Sequence, residues 1–299
     1  MKKTNNNDII RVSGLIKLSI TLFLLCLYSF KGFTQDEKIN INGIFSSTSV
    51  TFGKSDLLDT YLSPIDYKGI DIGIVNERIF LPCSKNQKWI AQQFIRGDFS
   101  SNNTIYGSGS TVTGFLEYSF GMLYKIPQFI PNFNIYGGSY ASLGGGFIYN
   151  LRNGNNPVSA KVDLSLGLSI MATYKLELIK KHPFNIRYQL SSPLVGAFFC
   201  PNYEQSYYEI FSLGNNKGIV HPGIWGKRFD IENIITFDIP FSWIGLRLGY
   251  ENRVYNNHVN SLKYRRVLNS FLIGITKDFI PNNRKKNTNN NINVINPIF

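Results

Sequence analysis

Cysteine, histidine and methionine occur only three times each in this chain of 299 residues. So little cysteine excludes a small domain stapled by disulfides. Three scattered histidines, none with Cys, Asp or Glu at ligand spacing, leave no metal site. No Walker or dinucleotide signature is present, so no cofactor is expected. Charged residues make up only 17% of the chain. No basic helix or aromatic-basic motif points to nucleic acid as a partner. No stretch beyond the first thirty residues approaches the roughly 20 apolar residues that a membrane-spanning helix needs.

What the chain does have is 43% hydrophobic residues and 14% aromatic ones, with 23 Phe and 17 Tyr. That composition excludes a disordered chain, and the length suits one large domain. Residues 1–34 read as an export signal. Lys2, Lys3, Arg11 and Lys17 lead into an uncharged run from Leu18 to Phe30, followed by Lys31, Gly32 and Thr34. The run is too short for an anchor, so cleavage between Thr34 and Gln35 is expected. Cys26 is a weak candidate for a lipoprotein cysteine, because the bulky Leu24 and Leu25 precede it. Removing 34 residues leaves 265; the five Lys/Arg and one Asp lost with them reduce the net charge from +12 to +8. Cys83 and Cys200 remain, placed at opposite ends of the expected layout and therefore read as free thiols.

The dominant pattern is alternation, the period of a strand. Val162, Leu164, Leu166, Leu168 and Ile170 interleave with Asp163, Ser165, Gly167 and Ser169. Stretches near 112–122, 229–239, 244–251 and 270–279 repeat it. One face is almost purely apolar, and the other mixes Gly, Ser and Thr with sparse charges. A water-soluble sandwich would turn a charged face to solvent. The inverse arrangement suits a closed barrel in lipid, where every backbone group must be bonded within the protein. We therefore expect an all-β fold, an antiparallel up-and-down transmembrane β-barrel of about ten strands over 35–280. The strands fall at 42–53, 67–80, 88–99, 111–125, 133–150, 160–178, 184–192, 229–240, 243–256 and 264–279. Eight or twelve strands stay open, since 193–228 has room for a hairpin. A secreted β-sandwich or lipocalin-like cup is the alternative, favoured by the blurred alternation at Ala91, Gln92 and Gln93. Short connections alternate with long ones at 54–66, 100–110, 151–159 and 193–228. Aromatics such as Phe80, Trp89, Tyr124, Phe133, Phe184, Phe241 and Trp243 crowd the short-turn end, as at a lipid interface. The Asn-rich segment 281–299 lacks periodicity and reads as a disordered tail. The localisation expected is the outer membrane, with the lipid bilayer as partner and the barrel monomeric.

Two segments carry a resemblance. Asp59-Thr60-Tyr61-Leu62-Ser63-Pro64 with Tyr67-Lys68-Gly69 is one. Ser192-Pro193-Leu194-Val195-Gly196, running on to Gln205-Ser206-Tyr207-Tyr208-Glu209-Ile210-Phe211, is the other. Together they resemble an uncharacterised family of Bacteroidetes outer-membrane proteins, a domain of unknown function. The resemblance implies an exported barrel and no activity.

Barrels near eight strands are filled by side chains, and open channels appear near sixteen. Ten strands imply a plugged lumen or a narrow pore. The inward faces carry Asp71, Glu77, Glu117, Asp163, Glu177, Glu232 and Glu251, answered by Lys125, Lys175, Arg187, Arg247 and Arg253, a set read as a structural charge network. The loop 193–228 holds Tyr203, Tyr207, Tyr208, Phe211 and Trp225. These residues, with Asp59 and Tyr61 across the barrel mouth, form an expected aromatic cap. It either packs inward or offers stacking surfaces to a glycan or lipid. A periplasmic protein is a further candidate partner. The enzymatic alternative is a lipid or ester hydrolase using His221 or His258 with Ser206, Ser212 or Ser261 and Glu209 or Glu251. His182, in a short turn before Pro183, reads as solvated. Gly144, Gly145 and Gly146 lie inside a strand pattern and read as packing positions.

Overall fold

The computed structural model describes residues 40–82, 88–105, 107, 109–127, 130–154, 157–176, 184–203, 205–241, 244–279 and 293–295. The expected export signal at 1–34 lies outside these residues, as do Cys83, Glu177, His182 and Trp243.

The elements run in order: β1 (Asn40–Asn42), β2 (Ile44–Asp59), β3 (Ser63–Phe80), β4 (Trp89–Thr104), β5 (Ser110–Lys125), β6 (Phe133–Asn150), β7 (Val158–Leu176), β8 (Phe184–Phe199), helix α1 (Tyr207–Phe211), β9 (Val220–Pro222), β10 (Arg228–Pro240), β11 (Gly245–Val259), β12 (Leu262–Phe279) and β13 (Asn293–Ile295). Strands β2 to β8 and β10 to β12 pair antiparallel with their neighbours in sequence, and β12 pairs with β2. Pairing of Asn185–Ser191 in β8 with Asp238–Glu232 in β10 closes the ring at ten strands. A closed ring leaves no sheet edge and excludes the two-sheet sandwich. Within 193–228 the chain prolongs β8, forms α1 and lays β9 against β8, so no extra hairpin joins the wall. Outside the ring, β1 and β13 form a parallel pair, so three residues of the Asn-rich segment are in a strand.

The side-chain alternation is inverted relative to a soluble protein. In β7, Val162, Leu164, Leu166, Leu168 and Ile170 are each more than half exposed, whereas Ser165, Ser169 and Thr173 are at most 3% exposed. The same inversion holds for Ile70, Ile72 and Ile74 against Asp71 in β3. Neither a soluble sandwich nor a lipocalin cup presents such a wall to water. It fits a membrane barrel with its apolar face in hydrocarbon and its polar face in the lumen.

Two ends are distinct. At the terminal end, where β2 begins and β12 finishes, the aromatics pair on the outer wall. Trp89 meets Tyr124 at 5.1 Å, Phe133 meets Tyr174 at 6.5 Å, and Phe184 stacks on Phe237 at 5.5 Å. At the opposite, loop end the strands are longer than the alternation suggests. β2 continues to Asp59 and β3 resumes at Ser63, so the expected loop 54–66 is a tight turn. β8 likewise reaches Phe199. Above Phe52 and Ile70 the outward positions become Lys54, Asp56, Lys68 and Asp66. The apolar belt ends there while the hydrogen-bond ladder continues. Asn260 and Ser261, at φ of 54° and 59°, make a two-residue turn between β11 and β12. Both positive φ values match a type I′ hairpin, whose twist suits the strands it joins.

Candidate functional site

The lumen is filled in layers. At the terminal end Phe45, Ile79, Ile90, Leu123, Tyr136 and Met171 form a buried apolar plug. Next comes a charged layer centred on Glu77. Arg187 donates to both its oxygens, at 2.5 and 2.8 Å, and Arg247 donates to Oε2 at 2.6 Å. Arg247 also grips Asp238 through Nε at 2.6 Å and Nη2 at 2.8 Å. Gln92 donates to Glu77 at 2.6 Å and exchanges amide hydrogen bonds with Gln189. Buried charges need this pairing, because an unpaired ion in a low dielectric is expensive.

A second charged layer follows. Arg96 contacts Glu117 at 3.2 Å and Glu232 at 3.0 Å, and the Tyr255 hydroxyl donates to Glu117 at 3.2 Å. Arg253 reaches Asp98 at 3.0 Å and Glu251 at 3.4 Å. Arg266 also binds Asp98, and its guanidinium lies 3.9 Å from the Phe115 ring centre. Arg228 links Asp163, at 3.0 Å, to Asp230. The cavities left between these groups are small. One of about 50 Å³ lies among Asp98, Glu117, Asp163, Arg228, Arg253 and Arg266. Others of about 30 and 10 Å³ lie beside Glu232. Each holds at most a few waters.

The loop end is closed by a cap built from the two motif-like segments. In the β2–β3 turn Asp59 accepts the Tyr61 N–H at 3.2 Å and pairs with Lys161 at 2.9 Å. Thr60 Oγ1 accepts the Lys263 N–H at 2.8 Å, fastening the turn to β12. The Tyr61 hydroxyl donates to the Gln205 carbonyl at 2.9 Å. Gln205 organises the facing loop. Its Oε1 accepts the Asn202 N–H at 2.9 Å, and its Nε2 donates to the carbonyls of Asn215, at 3.2 Å, and Lys217, at 3.0 Å. Ser206 and Glu209 then form a capping box that starts α1, satisfying two otherwise unpaired helix donors. Tyr207 comes out of α1 against Tyr61, 6.2 Å between ring centres, and its hydroxyl accepts the Ala160 N–H at 2.5 Å. Burial pushes the Tyr207 phenol up to about 12, so it stays neutral at physiological pH. Tyr61, Phe198, Cys200, Val259 and Leu262 complete a buried cluster beneath the loop. Burial also raises the Cys200 thiol above its ordinary value, leaving little thiolate for chemistry.

The remaining cap aromatics face outward. Tyr203, Tyr208 and Trp225 are 63–70% exposed and Phe211 75%. Phe199, Tyr207 and Phe211 form a stacked column at 6.4 and 6.3 Å, with Tyr207 packed against the buried cluster and Phe211 exposed. His221 Nε2 sits 3.1 Å from the Cys200 carbonyl and 3.0 Å from Asn260, engaged with backbone and amide rather than with a serine. Gly144 and Gly146 allow close packing: a Cβ would lie 2.7 Å from Asp163 at the first and 2.4 Å from the Gly114 carbonyl at the second.

The structure therefore brings Glu117, Asp163, Arg187, Glu232, Arg247, Glu251 and Arg253 into the lumen. Lys175 stands half-buried near the terminal mouth, its N–H bonded to Asn132, away from these layers. Asp59, Tyr61 and Tyr207 converge, whereas Tyr203, Tyr208, Phe211 and Trp225 do not pack inward with them. Reading the sequence missed Arg96, Asp98, Arg228, Asp230, Asp238 and Arg266 as lumen partners. Their signal was parity alone: Arg96 and Asp98 share the face of Ser100, and Arg266 that of Ser270.

Among solved structures the chain is similar to the outer membrane protease OmpT from Escherichia coli. Identity is 8% and the TM-score 0.40, over 84% of this chain and 100% of that one. It is also similar to an outer membrane channel from Pseudomonas putida F1, at 9% identity and TM-score 0.38 over 83% and 100%. The outer membrane protein OprG from Pseudomonas aeruginosa gives 11% and 0.32 over 81% and 97%. Likeness at this level transfers no activity. No curated protein matches the sequence significantly. A family model described as a protein of unknown function (DUF3316) matches residues 20–286, and the chain belongs to that family.

Proposed function

We propose that the protein is an outer-membrane barrel, exported by residues 1–34, that works through its loop-end surface rather than through its lumen. The observation that carries this reading is the filled interior. An apolar plug centred on Ile79 and Met171, two layers of paired charges and the Tyr61–Tyr207 cap follow one another along the axis. A solute would have to displace ion pairs such as Glu77–Arg187, which are buried and bidentate. Planar bilayers containing the purified barrel should stay silent at neutral pH. Reproducible conductance steps would reject the sealed lumen.

The ligand class we favour is a glycan. Aromatic faces at Tyr208 and Phe211 lie in the same short segment as the exposed amides of Asn215 and Asn216, with the Asn215 N–H bonded to the Glu209 carbonyl of α1. Flat apolar rings next to amide donors and acceptors suit a sugar, which has apolar faces and polar edges. The Tyr207 column holds Phe211 in place, limiting the entropy lost on binding. Phe211→Ala and Tyr208→Ala should each weaken binding of the cognate surface polysaccharide about tenfold, as loss of an exposed aromatic anchor does. Both variants should keep the folded barrel's anomalous gel mobility. Undiminished binding by both, measured on immobilised polysaccharide, rules out this surface.

A further inference from the structure

The outer wall carries one feature that neither the lumen nor the cap explains. Asn233 of β10, Asn252 of β11 and Asn269 of β12 stand opposite one another in a single row of strand partners. Their side chains form a chain of amides. Asn252 donates to Asn269 at 2.8 Å, and Asn233 donates to Asn252 at 3.5 Å. The hydroxyls of Tyr188 and Tyr250 donate to the two ends of the row, at 2.7 and 2.8 Å. The rows on either side are apolar and uncharged. Ile235, Tyr250 and Phe271 lie toward the terminal end, and Ile231, Val254 and Val267 toward the loop end.

Register places Asn233 and Asn252 inside the lipid belt and Asn269 at its loop-end edge, beside Lys54 of β2. Followed the other way around the wall, it runs from Asn233 through Leu190, Ile170, Gly137 and Tyr124 to Trp89, in the terminal aromatic girdle. With strands about 4.8 Å apart and tilted about 40°, each step climbs about 3 Å. Asn233 then lies about 15 Å above the girdle and Asn269 about 20 Å above it, within a belt about 25 Å tall. Acyl chains offer no donor or acceptor, and headgroups lie beyond the belt. Asn269 Nδ2 has no hydrogen-bond partner among the described residues, and Asn252 Oδ1 receives only the 3.5 Å contact. Polar groups at such depth normally face protein.

We propose that the outward face of β10–β12 is where two copies of this chain meet, about a two-fold axis along the membrane normal passing beside Asn252. The amide explains the choice of a second copy. It is donor and acceptor at once, so the row complements itself, as an isologous interface requires. The three rows carry no charge that a copy would repel. The dimer replaces the monomer expected from sequence.

The test uses the full chain with Cys26, Cys83 and Cys200 replaced by Ala, oxidised in native membranes. Asn252→Cys should give a reducible band at twice the chain mass. Leu116→Cys should not, because β5 lies five strands from β11 either way round the ring. Asn252→Leu should stay folded by gel mobility yet raise the dimer dissociation constant at least tenfold in mild detergent. A monomeric Asn252→Cys band, a cross-link to a chain of different mass, or an undiminished dimer in Asn252→Leu overturns the proposal.

Discussion

Glu77→Ala should be among the most damaging single substitutions in the lumen, lowering stability by about 3–5 kcal/mol, the usual effect of stranding a buried ion. The reason lies in the sharing of one carboxylate. Arg187 donates to both oxygens of Glu77, and Arg247 gives it one hydrogen bond while keeping Asp238. Removing Glu77 therefore leaves the Arg187 guanidinium, 2% exposed, without a counter-ion. The double variant Glu77→Leu with Arg187→Leu should recover more than half of the loss, because it removes the stranded charge together with its partner. Urea-dependent unfolding in detergent, followed by tryptophan fluorescence, measures both. A single variant as stable as the parent would show that this layer is not the filled, water-poor core described above.

Leu168→Arg should lower stability in vesicles by about 2–4 kcal/mol, the range for Arg at the middle of a barrel's lipid face. Leu213→Arg on the cap should change it by less than about 0.5 kcal/mol. Both leucines are more than half exposed, at 53% and 65%. Exposure alone therefore assigns them the same tolerance, and only the solvent differs. Leu168 lies in β7 among Leu164, Leu166 and Ile170 within the belt, whereas Leu213 follows α1 above the loop end. Equal tolerance of Arg at the two sites, in refolding titrations into vesicles, would mean that both face water.

The ten strands were legible because the lipid face imposes its own pattern. Val162 to Ile170 alternate without interruption, and every apolar residue in that run is exposed. Strand ends were less legible. The alternation that betrays a strand is driven by lipid, and it stops where the belt stops. The ladder from Lys54 to Asp59 and from Ser63 to Lys68 continues in water, with Lys54, Asp56, Asp66 and Lys68 outward. β4 was blurred because Ala91 and Gln92 are both buried, one in the wall and one in the lumen. The lumen charges could be placed on the inner face by parity, but their pairing could not. Glu77 and Arg187 lie 110 positions apart, and Arg266 and Asp98 lie 168 apart. Only the closed ring decides which charges share a layer. The cap shows the same limit: Ser206 and Glu209 are a local capping box, whereas the Tyr61–Gln205 bond spans 144 positions.

The account rests on hydrocarbon, not water, bathing the wall that carries Leu164, Ile72 and Phe271. Its most direct test is fractionation of cells producing the full chain, with the folded state identified by its heat-shifted mobility on gels. Folded protein should stay in the membrane pellet through an alkaline carbonate wash and leave it only with detergent. Folded protein in a detergent-free supernatant would contradict the account.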